Sequence, residues 1–197
     1  DITVLAQLAI KLTSLNLPEA DAAAAKLLAQ HAGNTLIREG TLTGLRGREA
    51  AFAKLLSKEN GATIAPVLQA LAGLIAMANK TQPFAELVDL AASLPKGDAA
   101  QRAIVKGLGA KADAKSKIPA KLLWLDQEPP ALAQLQKLAG PKDFALVAAR
   151  LAWPGKPGAP TPPKIVPLTA EHSALYETGK IIYTTLCAAC HQTHGYG

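Results

Sequence analysis

Aromatic side chains make up 4% of the 197 residues, methionine occurs once, and both cysteines fall close to the end of the chain. Each shortage excludes something. Strands draw on β-branched and aromatic residues, so a chain poor in rings and dominated by alanine and leucine does not read as a sheet protein. No apolar run reaches the roughly 18 residues that a membrane-spanning helix requires, so no transmembrane segment is expected. A net charge of +6 invites a nucleic-acid reading, but the surplus is spread thinly along the chain. The densest basic run, "KGLGAKADAKSKIPAK" from Lys106 to Lys121, has no interleaved aromatics and no nucleic-acid motif, so it reads as a solvated interhelical loop and no nucleic-acid partner is expected. No signal peptide is visible either. The start, "DITVLAQLAIKLTSLN", already has helical periodicity, so the chain reads as cut from something longer or processed at its front.

What is present is helical. Hydrophobic residues amount to 49% of the chain, ample for a buried core. Apolar positions recur at helical spacing at Ile2, Leu5, Leu8, Leu12 and Leu15, and at Ile64, Val67, Leu68, Leu71, Leu74 and Ile75. Shorter faces surround Phe52, Phe84, Ile104, Leu135 and Val147. Between them lie Pro18, Gly33, Gly61, Pro83, Pro95, Gly97, Gly109, Pro129, Pro130, Gly140 and Pro141, which break helices. The fold class is therefore all-α. Many short helices joined by short turns favour a helical-repeat solenoid over residues 1–152; a plain bundle would show the same local patterns, and no strict repeat period is found.

After residue 152 the composition changes. Residues 153–167, "WPGKPGAPTPPKIVP", are dense in proline and glycine. They are expected to form a linker in extended polyproline II, a semi-rigid spacer. In 168–197 Thr169 is a candidate N-cap, and Leu175, Tyr176, Gly179, Ile182, Tyr183 and Leu186 share one side of a helix that runs into the first cysteine.

Cys187-Ala-Ala-Cys190-His191 is a C-x-x-C-H, the attachment motif of c-type haem. Two thiols at this spacing reach the two vinyl groups along one porphyrin edge, and the adjacent imidazole is placed as the proximal axial ligand to iron. Other readings compete. His194 could join Cys187, Cys190 and His191 in a zinc site, although four ligands would have to converge within one tight turn. A thioredoxin-like redox pair would sit near a βαβ pattern, which the chain lacks. A pair of ordinary buried cysteines would need neither the histidine nor the preceding helix.

The run from Gly179 through Tyr183 to Cys187, Cys190 and His191 resembles the amino-terminal helix of class I cytochromes c. By that likeness Gly179 is the point where a carboxy-terminal helix crosses and Tyr183 its packing neighbour, though ordinary helix packing asks for the same residues. The tail is similar to cytochrome c domains fused behind helical repeats in large periplasmic bacterial dehydrogenases, and residues 1–152 resemble HEAT-like repeats loosely. The resemblance implies covalently bound haem c held by Cys187, Cys190 and His191, electron transfer as part of a larger oxidoreductase, redox partner proteins on either side, and a bacterial periplasmic or extracellular location. Pyrroloquinoline quinone (PQQ), and a sugar or alcohol substrate, would belong only to a propeller ahead of Asp1. In the family the distal methionine comes well after the histidine, so the cytochrome domain is expected to be truncated. Met77 is assigned to packing, and His194 to an exposed loop.

No catalytic acid–base pair stands out. Asp126 and Glu128 in "LWLDQEPP" read as a polar loop, and His31 as a residue at a helix C-terminus. A haem peroxidase would need a second C-x-x-C-H. The alternative from another class is an interaction scaffold carrying a haem-sensing or zinc-binding tail.

Overall fold

The first helix, α1 (Ile2–Ser14), begins where the Asp1 carboxylate accepts the amide of Thr3 at 2.8 Å, a cap that satisfies one of the amides a helix start leaves unpaired. Asn16, in the left-handed region at φ 54°, ends the turn into α2 (Pro18–Gln30), which opens on a proline whose missing N–H costs nothing at that position. The Asn34 side chain accepts from the Ile37 amide to start α3 (Thr35–Thr43). There follow α4 (Glu49–Leu56), α5 (Gly61–Ala78), α6 (Thr81–Ser93), α7 (Ala99–Leu108), α8 (Leu132–Leu138) and α9 (Pro141–Ala149). The protein is all-α in class. This computed structural model describes residues 1–59, 61–110, 122–161 and 166–188.

Two units divide at Pro160 and Thr161, a boundary that falls inside the proline-rich stretch. Within the first, extensive contacts join helices one or two apart in order: α1 with α2 and α3, α2 with α4, α4 with α5 and α6, α5 with α7, α6 with α7 and α8, and α7 with α9. One continuous core results, with Phe52, Phe84, Leu28, Leu68, Leu71 and Leu87 fully buried. Each such side chain contributes about 1.5–3 kcal/mol relative to an exposed one.

The most extensive contact is between α5 and α7, and glycine makes it close. A Cβ added to Gly107 would meet the Gln69 carbonyl oxygen, the Ala72 Cβ at 2.6 Å and the Gly73 nitrogen at 3.0 Å. Polar side chains then fix the corners. Buried Gln101 donates to the carbonyls of Ala91 and Leu94 at the end of α6 and accepts the Gly97 amide. Arg48 grips both carboxylate oxygens of Asp21 at 2.9 Å and donates to the Thr13 carbonyl at 2.5 Å, tying the starts of α2 and α4 to the end of α1.

Three expectations change here. Strands were not expected, yet Leu123–Trp124 (β1) and Leu151–Ala152 (β2) pair in parallel; two residues each are too short to leave an alternating pattern in the sequence. Lys106 belongs to α7 rather than to a loop, and 111–121 lie outside the described residues. The start of the proline-rich stretch is not extended. Gly155 and Gly158 adopt φ of 86° and 73°, and the Lys156 amide reaches the Trp153 carbonyl and the Ala159 amide the Lys156 carbonyl, making two consecutive turns. Lys156 Nζ donates to the carbonyls of Ala148 and Leu151 and lies 5.0 Å from the Trp153 ring centre, so this segment folds back on α9 and β2.

Candidate functional site

In the second unit Thr169 caps α10 (Ala170–Ile182) as its side chain accepts the His172 amide at 3.2 Å, with Glu171 in the first turn where the helix dipole favours an acid. The helix passes directly into a π-helical turn, Tyr183–Cys187. Within it Thr184 and Thr185 donate their hydroxyls to the carbonyls of Lys180 and Ile181, side-chain bonds that share those carbonyls with the backbone ladder. Turns of this kind gather at functional sites.

Cys187 sits at the last position of that turn, half-buried and in no disulfide. Cys190, His191 and His194 lie outside the described residues, so of the C-x-x-C-H it is the first thiol whose surroundings are visible. They are apolar and uncovered. No residue of α10 is buried, and Leu175, Tyr176, Ile182 and Leu186 are 63, 60, 51 and 72% exposed. A Cβ on Gly179 would meet nothing within 4 Å. A helix with this much apolar surface normally buries one face; here the thiol stands at the end of such a face. That donor chemistry, a soft thiol on an unfilled apolar flank, fits a large apolar group attached at Cys187.

The remaining candidates are in the first unit. Met77 is 54% exposed on α5 rather than packed in the core, because Ile75 and Ala76 take the inward side of that turn. His31 closes α2 as its C-cap. Asp126 and Glu128 are exposed in the loop after β1. Among the described residues no three His, Cys, Asp or Glu side chains gather as a metal-holding group, and no helix is long and apolar enough to cross a membrane.

Sequence reading missed buried Arg150 and half-buried Lys156. Arg150 is 3% exposed; it donates to the carbonyls of Ala76 and Ala110, its guanidinium carbon lies 6.0 Å from the centre of the Phe84 ring, and burial lowers its pKa. Burial also lowers the pKa of Lys156. Nothing in the local pattern around either residue announces a carbonyl partner.

Comparison with known proteins gives no match to any family model, curated protein or solved structure.

Proposed function

We propose that the carboxy-terminal unit attaches a c-type haem and that the chain serves as the electron-carrying part of a larger bacterial periplasmic or extracellular oxidoreductase. The observation that carries this reading is the C-x-x-C-H of the sequence, whose first cysteine, Cys187, ends the π turn after α10 beside an apolar, uncovered flank. Cys187 and Cys190 would hold the porphyrin edge by thioether bonds, and His191 would be the axial ligand. When bound, the group supplies one-electron exchange between ferric and ferrous iron. The chain's own share is to anchor, orient and shield: α10 fixes Cys187, and Leu175, Ile182 and Leu186 offer the apolar surface that lowers solvent access. The first unit, on this reading, is a HEAT-like solenoid that spaces the haem from its redox partners. Its support is the sequential contact pattern, in which helices pack on those one or two ahead in the order that a stacked array requires.

The test is expression of the chain with an exported leader in a host that matures cytochromes c. Haem that survives acid–acetone extraction is expected, lost in Cys187→Ala and Cys190→Ala, with an altered ligand-field spectrum in His191→Ala. Free thiols with no Soret band would defeat the proposal. Equimolar zinc lost on His194→Ala would favour the zinc-binding tail.

A further inference from the structure

Three helices of the first unit leave a groove that the haem reading does not use. Between α2 and α4 a depression of about 340 Å³ is lined by Pro18, Arg48, Leu55 and Lys58. Between α4 and α6 a second, of about 500 Å³, is lined by Ala50, Glu86, Asp89, Leu90 and Ser93. Ala51 and Lys54 border both. Ala51, exposed on α4 and common to both linings, presents only a methyl between them. Volumes of this size are those of sites that hold ligands, roughly 300–1,000 Å³.

The charges along this path are sorted. On the α2 side Asp21 is consumed by the bidentate grip of Arg48, which leaves Lys58 and Lys54 as the available charges. On the α6 side Glu86 accepts only the amide of Gln82, and Asp89 stands beside it. Among the described residues the side chains of Lys54, Lys58 and Asp89 form no ion pair or hydrogen bond with one another or with neighbours. Lys58 thus lines only the α2 side and Glu86 and Asp89 only the α6 side, with Lys54 on α4 bordering both and alanine and leucine in the lining.

We infer that this groove docks an extended peptide segment of a partner protein, with an acidic side chain over Lys54 and Lys58 and a basic one over Glu86 and Asp89. An α-helix, about 10–12 Å across with its side chains, is too wide to lie between helices packed about 8–10 Å apart. An extended chain is not. One interhelical step of about 8–10 Å separates the two charge clusters, and extended backbone advances about 3.3 Å per residue, so the acidic and basic residues stand about three apart. Small and apolar residues between them meet Ala50, Ala51 and Leu90. The inference stands on the first unit alone and is independent of haem attachment.

The probe is a phage-displayed library of random peptides selected on the immobilised full chain, followed by fluorescence anisotropy with the enriched sequences. Enriched peptides are expected to carry an acid and a base about three residues apart in one consistent order. Their affinity should fall at least about tenfold in Ala51→Trp, which sets an indole where that methyl stands, and in Lys58→Glu or Asp89→Lys, each at an exposed position. The double variant Lys58→Glu/Asp89→Lys should select peptides of the opposite order, a result that no loss of folding could imitate. Absence of any enriched family, enrichment without the charge pair, or equal binding to wild type and the Ala51→Trp and charge-reversed variants would overturn the inference.

Discussion

Replacing Gly107 by alanine sets two effects of opposite sign against each other. In a helix interior alanine is favoured over glycine by about 1 kcal/mol, so propensity alone calls for stabilisation of α7. Packing calls for the reverse. The new Cβ would lie against the Gln69 carbonyl oxygen, 2.6 Å from the Ala72 Cβ and 3.0 Å from the Gly73 nitrogen. Two of those three are backbone atoms of α5, which cannot rotate aside as a side-chain end can. Relief requires the helices to separate along the most extensive contact of the unit, where Leu68, Leu71 and Ile104 are fully buried. Overpacking of this kind costs about 1–3 kcal/mol and the rigid obstruction argues for the upper part of that range, so the net loss expected is about 2 kcal/mol.

Urea unfolding followed by circular dichroism measures it directly, since a lower midpoint at unchanged slope reports stability rather than altered compactness. By calorimetry the shift would be a lowering of Tm by about 4–8 °C for a unit of this size. Gly179→Ala is the control, because a Cβ there meets nothing within 4 Å and only the propensity effect remains. It should raise the helical signal of α10 without lowering the melting transition of the first unit. Neutral or stabilising behaviour of Gly107→Ala would refute the close α5–α7 crossing.

Other perturbations test the polar fastenings. Asp21→Asn and Arg48→Met should each cost about 2–3 kcal/mol by urea titration, because each strands a partly buried partner, whereas the double variant should recover part of the loss in a double-mutant cycle. Arg150→Ala should cost about 3 kcal/mol through a cavity and the loss of the donors to Ala76 and Ala110, while Arg150→Met, which keeps the stem against Phe84 and removes the buried charge, should cost less in the same titration. Lys156 gives a pH signature. Its pKa is lowered by partial burial from 10.5, so the unfolded chain holds the proton more tightly than the folded one, and the penalty of the partly desolvated charge is present at neutral pH and relieved as pH rises through the folded value towards 10.5. Midpoints measured across that alkaline window should rise more for wild type than for Lys156→Met, and identical slopes would refute the desolvation of this half-buried ammonium.

Helix identity was legible where two signals agreed. The apolar stripe of α5 runs on without interruption past Pro66, and Thr169 with its alternating helical face announced α10. Elsewhere one signal was absent. The sequence of α2, "PEADAAAAKLLAQ", is rich in alanine and has a shallow contrast between its faces, so its inward side is set by neighbours: Ala24 and Ala25 are buried because α4 and α1 lie there. The turns at the start of the linker left no trace for a similar reason. Proline density predicted extension, but the glycines at Gly155 and Gly158 permit turns and the Lys156 amine holds them against two carbonyls. Contacts between residues distant in sequence, such as Arg48 with Asp21, leave no periodic trace.

The candidate site shows the opposite balance. Its chemistry is written locally, in three residues of the sort that bind one cofactor, whereas its packing is not. Along α10 and the π turn Leu175, Tyr176, Ile182 and Leu186 lie on one side yet stay exposed, and Gly179 opens a close approach that no side chain within reach fills. A helix capped and turned as carefully as this one, by Thr169 at its start and by Thr184 and Thr185 at the π turn, spends local hydrogen bonds on holding a conformation that its own unit does not bury. Conformational entropy opposes such order unless further contacts are made. Bound haem would supply them through the surface around Cys187. Protection of the amides of Leu175, Ile182 and Leu186 from hydrogen exchange should therefore rise sharply on haem attachment, while those of Leu71 and Leu87 in the first unit stay as they were. Equal protection with and without haem would mean that α10 is stabilised by something other than the group its cysteines are proposed to carry.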